Sequence, residues 1–159
     1  MTTERKPDFV YVTYIDSTVD KVWNALTDPE MTKDYWVRHR NVSDWKVGSR
    51  WSHQDYDDGS KVDIVGQVLE SDPPKRLVVS WASPADEGQP RKTSRVTYQV
   101  EPFNDVVRLT VIHDDLEPGS PMDDGIRRGW PLVLSGLKTL LERGKPIHIV
   151  TKRMDAPPR

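Results

Sequence analysis

Cysteine is absent from the 159 residues, which excludes disulfide bridges and thiolate metal sites. No apolar run approaches the roughly 20 residues that a bilayer-crossing helix needs. The opening MTTERKPD lacks the apolar core of a secretory signal. A cytoplasmic location without membrane insertion is therefore expected. The formal net charge is only −2, and Lys and Arg are spread along the chain. A nucleic-acid-binding protein concentrates its basic residues on one face, so no nucleic-acid partner is expected. No two histidines have ligand spacing. The acidic run Asp114, Asp115, Glu117, Asp123 and Asp124 lacks the regular odd-position oxygens of a calcium loop and reads as solvated loop and helix-start charge. Ser17, Ser52 and Ser80 have no nucleophile-elbow context, and no glycine-rich phosphate cradle occurs. Neither metal nor cofactor is expected.

What is present suits a soluble globular protein: 35% hydrophobic and 30% charged residues. The length fits one domain over 1–159, with a core at about 9–145 and polar termini at 1–8 and 146–159. The organising stretch is Asp123 to Arg143. There Ile126, Trp130, Val133, Leu134, Leu137, Leu140 and Leu141 recur at three- and four-residue steps and paint one apolar stripe on a helix. Asp123 and Asp124 suit the positive end of the helix dipole, and Gly144 with Pro146 supplies the stop. Pro131 must either open a shorter helix or kink a longer one. Ser135 and Gly136 leave gaps in the stripe, so something bulky could lie against it.

Ahead of this helix, Phe9 to Ile15 is β-branched and aromatic and reads as a first strand. Asp16, Ser17 and Thr18 offer caps for a helix carrying Val19, Val22, Trp23 and Leu26. Asp28-Pro29 breaks it, and a second short helix carries Met31, Tyr35 and Trp36. Trp36 to Trp51 reads as a solvated loop with anchoring aromatics. Short strands follow around Ser49 to His53, Lys61 to Glu70 and Leu77 to Trp81, with Gly66 marking a bulge or a close backbone approach. After a polar loop at 83–92, Val96, Tyr98 and Val100 alternate with polar residues. So do Val107, Leu109, Val111 and His113.

An antiparallel meander with one buried face needs a cover, and only the C-terminal stripe is long enough to provide it. Trp81, Tyr98, Leu109 and His113 share the inward register, and Trp130 and Leu134 lie on the stripe. His53 points inward beside Trp51 if the short strand keeps its alternation. These seven residues are the candidate ligand-binding set, and no residue is singled out as catalytic. His113, at a strand end, would orient a polar group or act as a base near neutral pH, unless it is a satisfied structural residue.

VDKVWNALTDPE at 19–30, VGSRW at 47–51, VGQVLESDPPKRLVVSW at 65–81 and GWPLVLSGLKTLLERG at 129–144 resemble the START-like, helix-grip superfamily. Within it, the chain is similar to the branch named for the activator of the heat-shock-protein-90 ATPase. The resemblance implies an α+β fold: a curved antiparallel sheet of about six or seven strands wrapped around a long C-terminal helix, with two short helices after the first strand. Activator proteins carry a separate N-terminal domain for the chaperone; with eight polar residues before Phe9, a co-chaperone role through such a domain is not expected. Three functional classes follow. The leading one is a non-enzymatic domain that binds, carries or senses a small hydrophobic, aromatic or lipid-like ligand between sheet and helix. The second is a protein-interaction module, monomeric or homodimeric, acting on a chaperone or regulator; exposed Trp36 and Trp45 would be its footprint. The third is a cyclase- or hydrolase-type enzyme using a pocket histidine. The tail from Ile147 to Val150 is expected to pack locally, and removing residues 151–159 to leave the melting temperature nearly unchanged.

Overall fold

The computed structural model describes residues 8–147. Seven antiparallel strands form one sheet in the order β1-β7-β6-β5-β4-β3-β2. The strands are β1 (Phe9–Ile15), β2 (His39–Val42), β3 (Arg50–Asp55), β4 (Val62–Asp72), β5 (Arg76–Trp81), β6 (Ser94–Phe103) and β7 (Val106–Asp114). The helices are α1 (Val19–Thr27), α2 (Pro29–Tyr35) and α3 (Pro121–Arg143). The first strand lies beside the last, Phe9 opposite His113 and Ile15 opposite Val107. The helix-grip arrangement implied by the family resemblance is thus present.

Local chemistry sets the ends. The Thr18 hydroxyl accepts the Lys21 N–H at 3.3 Å, and the Asp28 carboxylate accepts the Glu30 N–H at 2.9 Å with Pro29 in the first turn of α2. Ser120 accepts the Asp123 N–H at 3.1 Å ahead of Pro121, and Gly144 ends α3 in the left-handed region at φ 80°. Pro131 lies inside one continuous 23-residue helix, so the longer-helix alternative is realised. Its missing N–H leaves the Arg127 carbonyl without the usual backbone partner.

Two sequence readings are corrected. Trp36 to Trp51 is not one solvated loop: His39–Val42 forms strand β2, paired with Ser52–Asp55, and Trp36 and Trp51 are buried. Four residues with three polar side chains give no alternation to read. Helix α3 begins two residues earlier than Asp123, because Ser120-Pro121 supplies its cap and first turn. Gly66 does mark a close approach. The Trp51 indole N–H crosses it to donate to the Ser80 carbonyl at 2.8 Å, and a Cβ there would collide with that oxygen.

The core lies between the sheet and α3. Ile126, Trp130, Val133, Leu134, Leu137 and Leu140 of the stripe are buried, and Leu141 is partly so. Leu137 is fully enclosed.

Candidate functional site: an aromatic cleft beneath the last helix

Alternation along β5, β6 and β7 turns Trp81, Tyr98, Leu109 and His113 toward α3, and the helical period turns Trp130 and Leu134 back at them. All six are buried. The rings meet directly: Trp81–Trp130 centroids are 5.6 Å apart, Tyr98–Trp130 6.0 Å and Trp51–Trp81 5.3 Å. Trp36, from the end of α2, joins them at 5.3 Å from Trp130 and 6.2 Å from Trp81. Such tilted contacts are worth about 0.5–1.5 kcal/mol each beyond burial.

These rings fill most of the space between sheet and helix. What remains is an open apolar cleft of about 100 Å³, lined by Trp36, Trp81, Gly125, Ile126, Gly129 and Trp130, with Val133 at its end. That is smaller than the about 300 Å³ at which ordinary small-molecule pockets begin. Of the seven sequence candidates, Trp81 and Trp130 line the cleft. Tyr98, Leu109 and Leu134 pack behind it, and His113 is sealed behind the Trp130 ring. His53 sits off to the side, 5.2 Å from Trp36. Sequence reasoning passed over Trp36 and the pair Gly125 and Gly129. The only signal for the glycines is their spacing, one helical turn apart on the rim of the apolar stripe, where they add no side chains to the cleft.

The polar atoms within the cluster are bonded to each other, and their directions are fixed. The Trp130 indole can only donate, so at 3.0 Å it makes His113 Nδ1 an acceptor. The neutral ring then carries its proton on Nε2, which donates to Ser94 Oγ at 2.8 Å. Ser94 in turn donates to the Trp81 carbonyl at 3.1 Å. Burial pushes His113 down to about 3, outweighing the opposing pull of Asp8 and Asp123. Protonation would also aim an N–H at the Trp130 N–H. His113 is therefore a structural hub rather than a base near neutral pH, and Ser94, already donating to a carbonyl, is not an activated nucleophile.

His53 is likewise neutral. Burial first, and then the neighbouring His39, hold it down to about 3, and its Nδ1 lies 2.6 Å from Asn41 Oδ1. Burial pushes the Tyr98 phenol well above its ordinary value. Among the described residues no three metal-ligating side chains cluster, and no helix is long and apolar enough to cross a membrane.

A curved antiparallel sheet gripping one long helix, with aromatic side chains between them, defines a START-like protein. The family model described as "Activator of Hsp90 ATPase homolog 1-like protein" matches residues 16–142, and the chain belongs to that family. The chain is similar in structure to CalU16 from Micromonospora echinospora, at 26% identity and TM-score 0.67, over 89% of this chain and 77% of that one. It is similar in fold to PFC0360w, an HSP90 activator from Plasmodium falciparum, at 19% identity and TM-score 0.68, over 87% and 96% of the two chains. The Aha1 dimer from Colwellia psychrerythraea shares the fold at 19% identity and TM-score 0.69, over 86% and 96%. No curated protein matches the chain.

Proposed function

We propose that this protein is a non-enzymatic binding domain for a small, flat, apolar ligand, held against Trp36, Trp81 and Trp130. The observation that supports it best is the cleft itself: an open hollow floored by the edges of three otherwise buried rings, beside Gly125 and Gly129, which carry no side chains to fill it. Apolar burial drives binding, at about 25 cal/mol per Å² removed from water. Catalysis is disfavoured because His113 and Ser94 are committed to each other and to Trp130 and Trp81, leaving no free acid–base pair at the cleft. The test is thermal: saturating naphthalene-type probes should raise the melting temperature, by an amount equivalent to about 2.7 kcal/mol at a hundred times Kd. No shift with any flat apolar probe would sink the reading.

A second reading, a protein-interaction module, draws on a different observation. Val10, Val12 and Tyr14 are exposed along the edge strand β1, and Phe103 lies 5.1 Å from Tyr14. The footprint expected at Trp36 and Trp45 is not there: Trp36 is buried, and Trp45 is half-buried with its N–H donated to the Thr27 carbonyl at 2.8 Å. Membership of a family named for Hsp90 ATPase activation makes that chaperone the partner to try. Its ATPase rate should rise when this protein is added and fall back with Val12→Asp; an unchanged rate removes the reading.

A further inference from the structure

We propose that Met122 is a gate between the aromatic cleft and a second hollow, and that the ligand is an amphiphile spanning the two. Its flat apolar body would lie on Trp81 and its polar end in the hollow. This rests on the binding reading above.

The second hollow, of about 250 Å³, opens at the start of α3 and is lined by Ser83, Asp86, Lys92, Ser94, Glu117 and Met122, among others. Two of these residues also belong to the wall of the aromatic cluster. Ser94 holds His113, and the Met122 sulfur accepts the Trp81 indole N–H at 3.3 Å. Trp81 itself lines the cleft on the other side. The Trp81 and Met122 side chains, in contact with each other, thus lie between the apolar cleft and the hollow, and the first turns of α3 touch both. Joined, they reach the size at which small-molecule sites begin, about 300 Å³.

That wall is unequally held. Ser94, His113 and Trp130 form a buried chain in which donors and acceptors all match. Trp45 and Trp51 donate to backbone carbonyls at 2.8 Å. Trp81 alone among these donates to a thioether, a weak acceptor on an unbranched side chain with three rotatable bonds. Met122 is only partly buried. The partition therefore opens at Met122, by rotation of one side chain and without breaking the His113 chain.

The chemistry of the joined space selects the ligand. Opening frees the Trp81 N–H, which then needs an acceptor. The hollow carries three carboxylates, Asp86, Asp115 and Glu117, against one cation, Lys92, which already pairs with Asp86 at 3.9 Å, so its lining repels an anionic end and takes a donor at Glu117. A hydroxyl or amide end answers both, a carboxylate accepts the Trp81 N–H but is repelled by the acidic lining, and a plain hydrocarbon leaves the Trp81 N–H unpaired.

The probes are 2-naphthol, naphthalene and 2-naphthoate, titrated into the full chain and into Met122→Ala and Met122→Leu. Calorimetry gives Kd, and the indole ¹H–¹⁵N resonances report each tryptophan. A gate that stands open about a tenth of the time weakens apparent affinity about tenfold. Met122→Ala should therefore tighten 2-naphthol roughly tenfold. Met122→Leu keeps the bulk but loses the acceptor, and should tighten it by less. In the unmodified protein 2-naphthol should bind more tightly than naphthalene and 2-naphthoate weakest, with the Trp81 resonance moving on binding. If the unmodified protein binds 2-naphthol but neither variant gains affinity, or the Trp81 resonance stays still, the gate is overturned and the binding reading survives. If no form binds any of the three, both fall together.

Discussion

The two halves of α3 do different work. Beyond Pro131 the helix presents Val133, Leu134, Gly136, Leu137 and Leu140, all buried. Its polar side is tied to the first strand: Lys138 Nζ donates to the Tyr14 carbonyl at 2.6 Å, and Glu142 accepts the Asp16 N–H at 2.8 Å. Before Pro131 the same helix presents Gly125, Ile126, Gly129 and Trp130, with a hollow on either side of its first turns. The proline sits at the junction, where one backbone bond is already missing. Close aliphatic packing anchors the fold in one half, and withheld side chains leave room in the other. A single helix can therefore hold a scaffold firm while leaving a site adjustable.

The sharpest way to break this contrast is Leu137→Ala. The side chain is fully enclosed in the anchoring half, so truncation should cost about 2–5 kcal/mol in urea unfolding through lost transfer energy and a residual cavity. A loss under about 1 kcal/mol would show that this half is no more tightly packed than the other.

A second effect separates the halves by pH. His113 and His53 are both held down to about 3 against an ordinary value of 6.5, so the folded state binds fewer protons than the unfolded one. Their contribution is intact above pH 6.5 and is lost progressively as pH falls from there toward 3. Each should remove about 1.4 kcal/mol per pH unit inside that window. Unfolding free energies between pH 6 and 5 should slope accordingly. His113→Gln, which can still accept from Trp130 and donate to Ser94, should roughly halve the slope. An unchanged slope would mean that the His113 ring does not set the pH sensitivity of the site half.

The smallest effect runs in the opposite direction. A Cβ at Gly125 meets nothing within 4 Å. Gly125→Ala should thus stabilise the helix by up to about 1 kcal/mol while narrowing the mouth of the cleft. The melting temperature should rise as affinity for 2-naphthol falls. A rise in both would place the entrance elsewhere.

The anchoring half was readable from the sequence because aliphatic residues at a period of 3.6 have one economical explanation, and Leu137 falls where that period puts it. The inward faces of β6 and β7 were readable for the same reason, which is how Tyr98, Leu109 and His113 came to be grouped with Trp130. The site half was less readable. Whether two tryptophans line a cavity or fill it depends on distances of an ångström or two, and periodicity carries no such information. Trp36 reaches the cleft from the end of α2, just before two left-handed residues, Val37 at φ 52° and Arg38 at φ 53°, that nothing in the local sequence announces. The role of His113 turned on which atom faces it. A strand-end histidine can be a base, but one that accepts from an indole cannot serve as one near neutral pH. The expectations for the segment from His148 onward lie outside the described residues.

The contiguity of the rings has an optical consequence. From Trp45 through Trp51 and Trp81 to Trp36 and Trp130, successive centroids are 5.3–6.4 Å apart. Transition dipoles that close couple strongly, and excitation absorbed by one indole is shared before it is emitted. The fluorescence of these five indoles should behave as the signal of one extended chromophore, with exciton couplets in the circular dichroism. A molecule that touches Trp81 alone would then be registered by Trp45, at the far end of the chain.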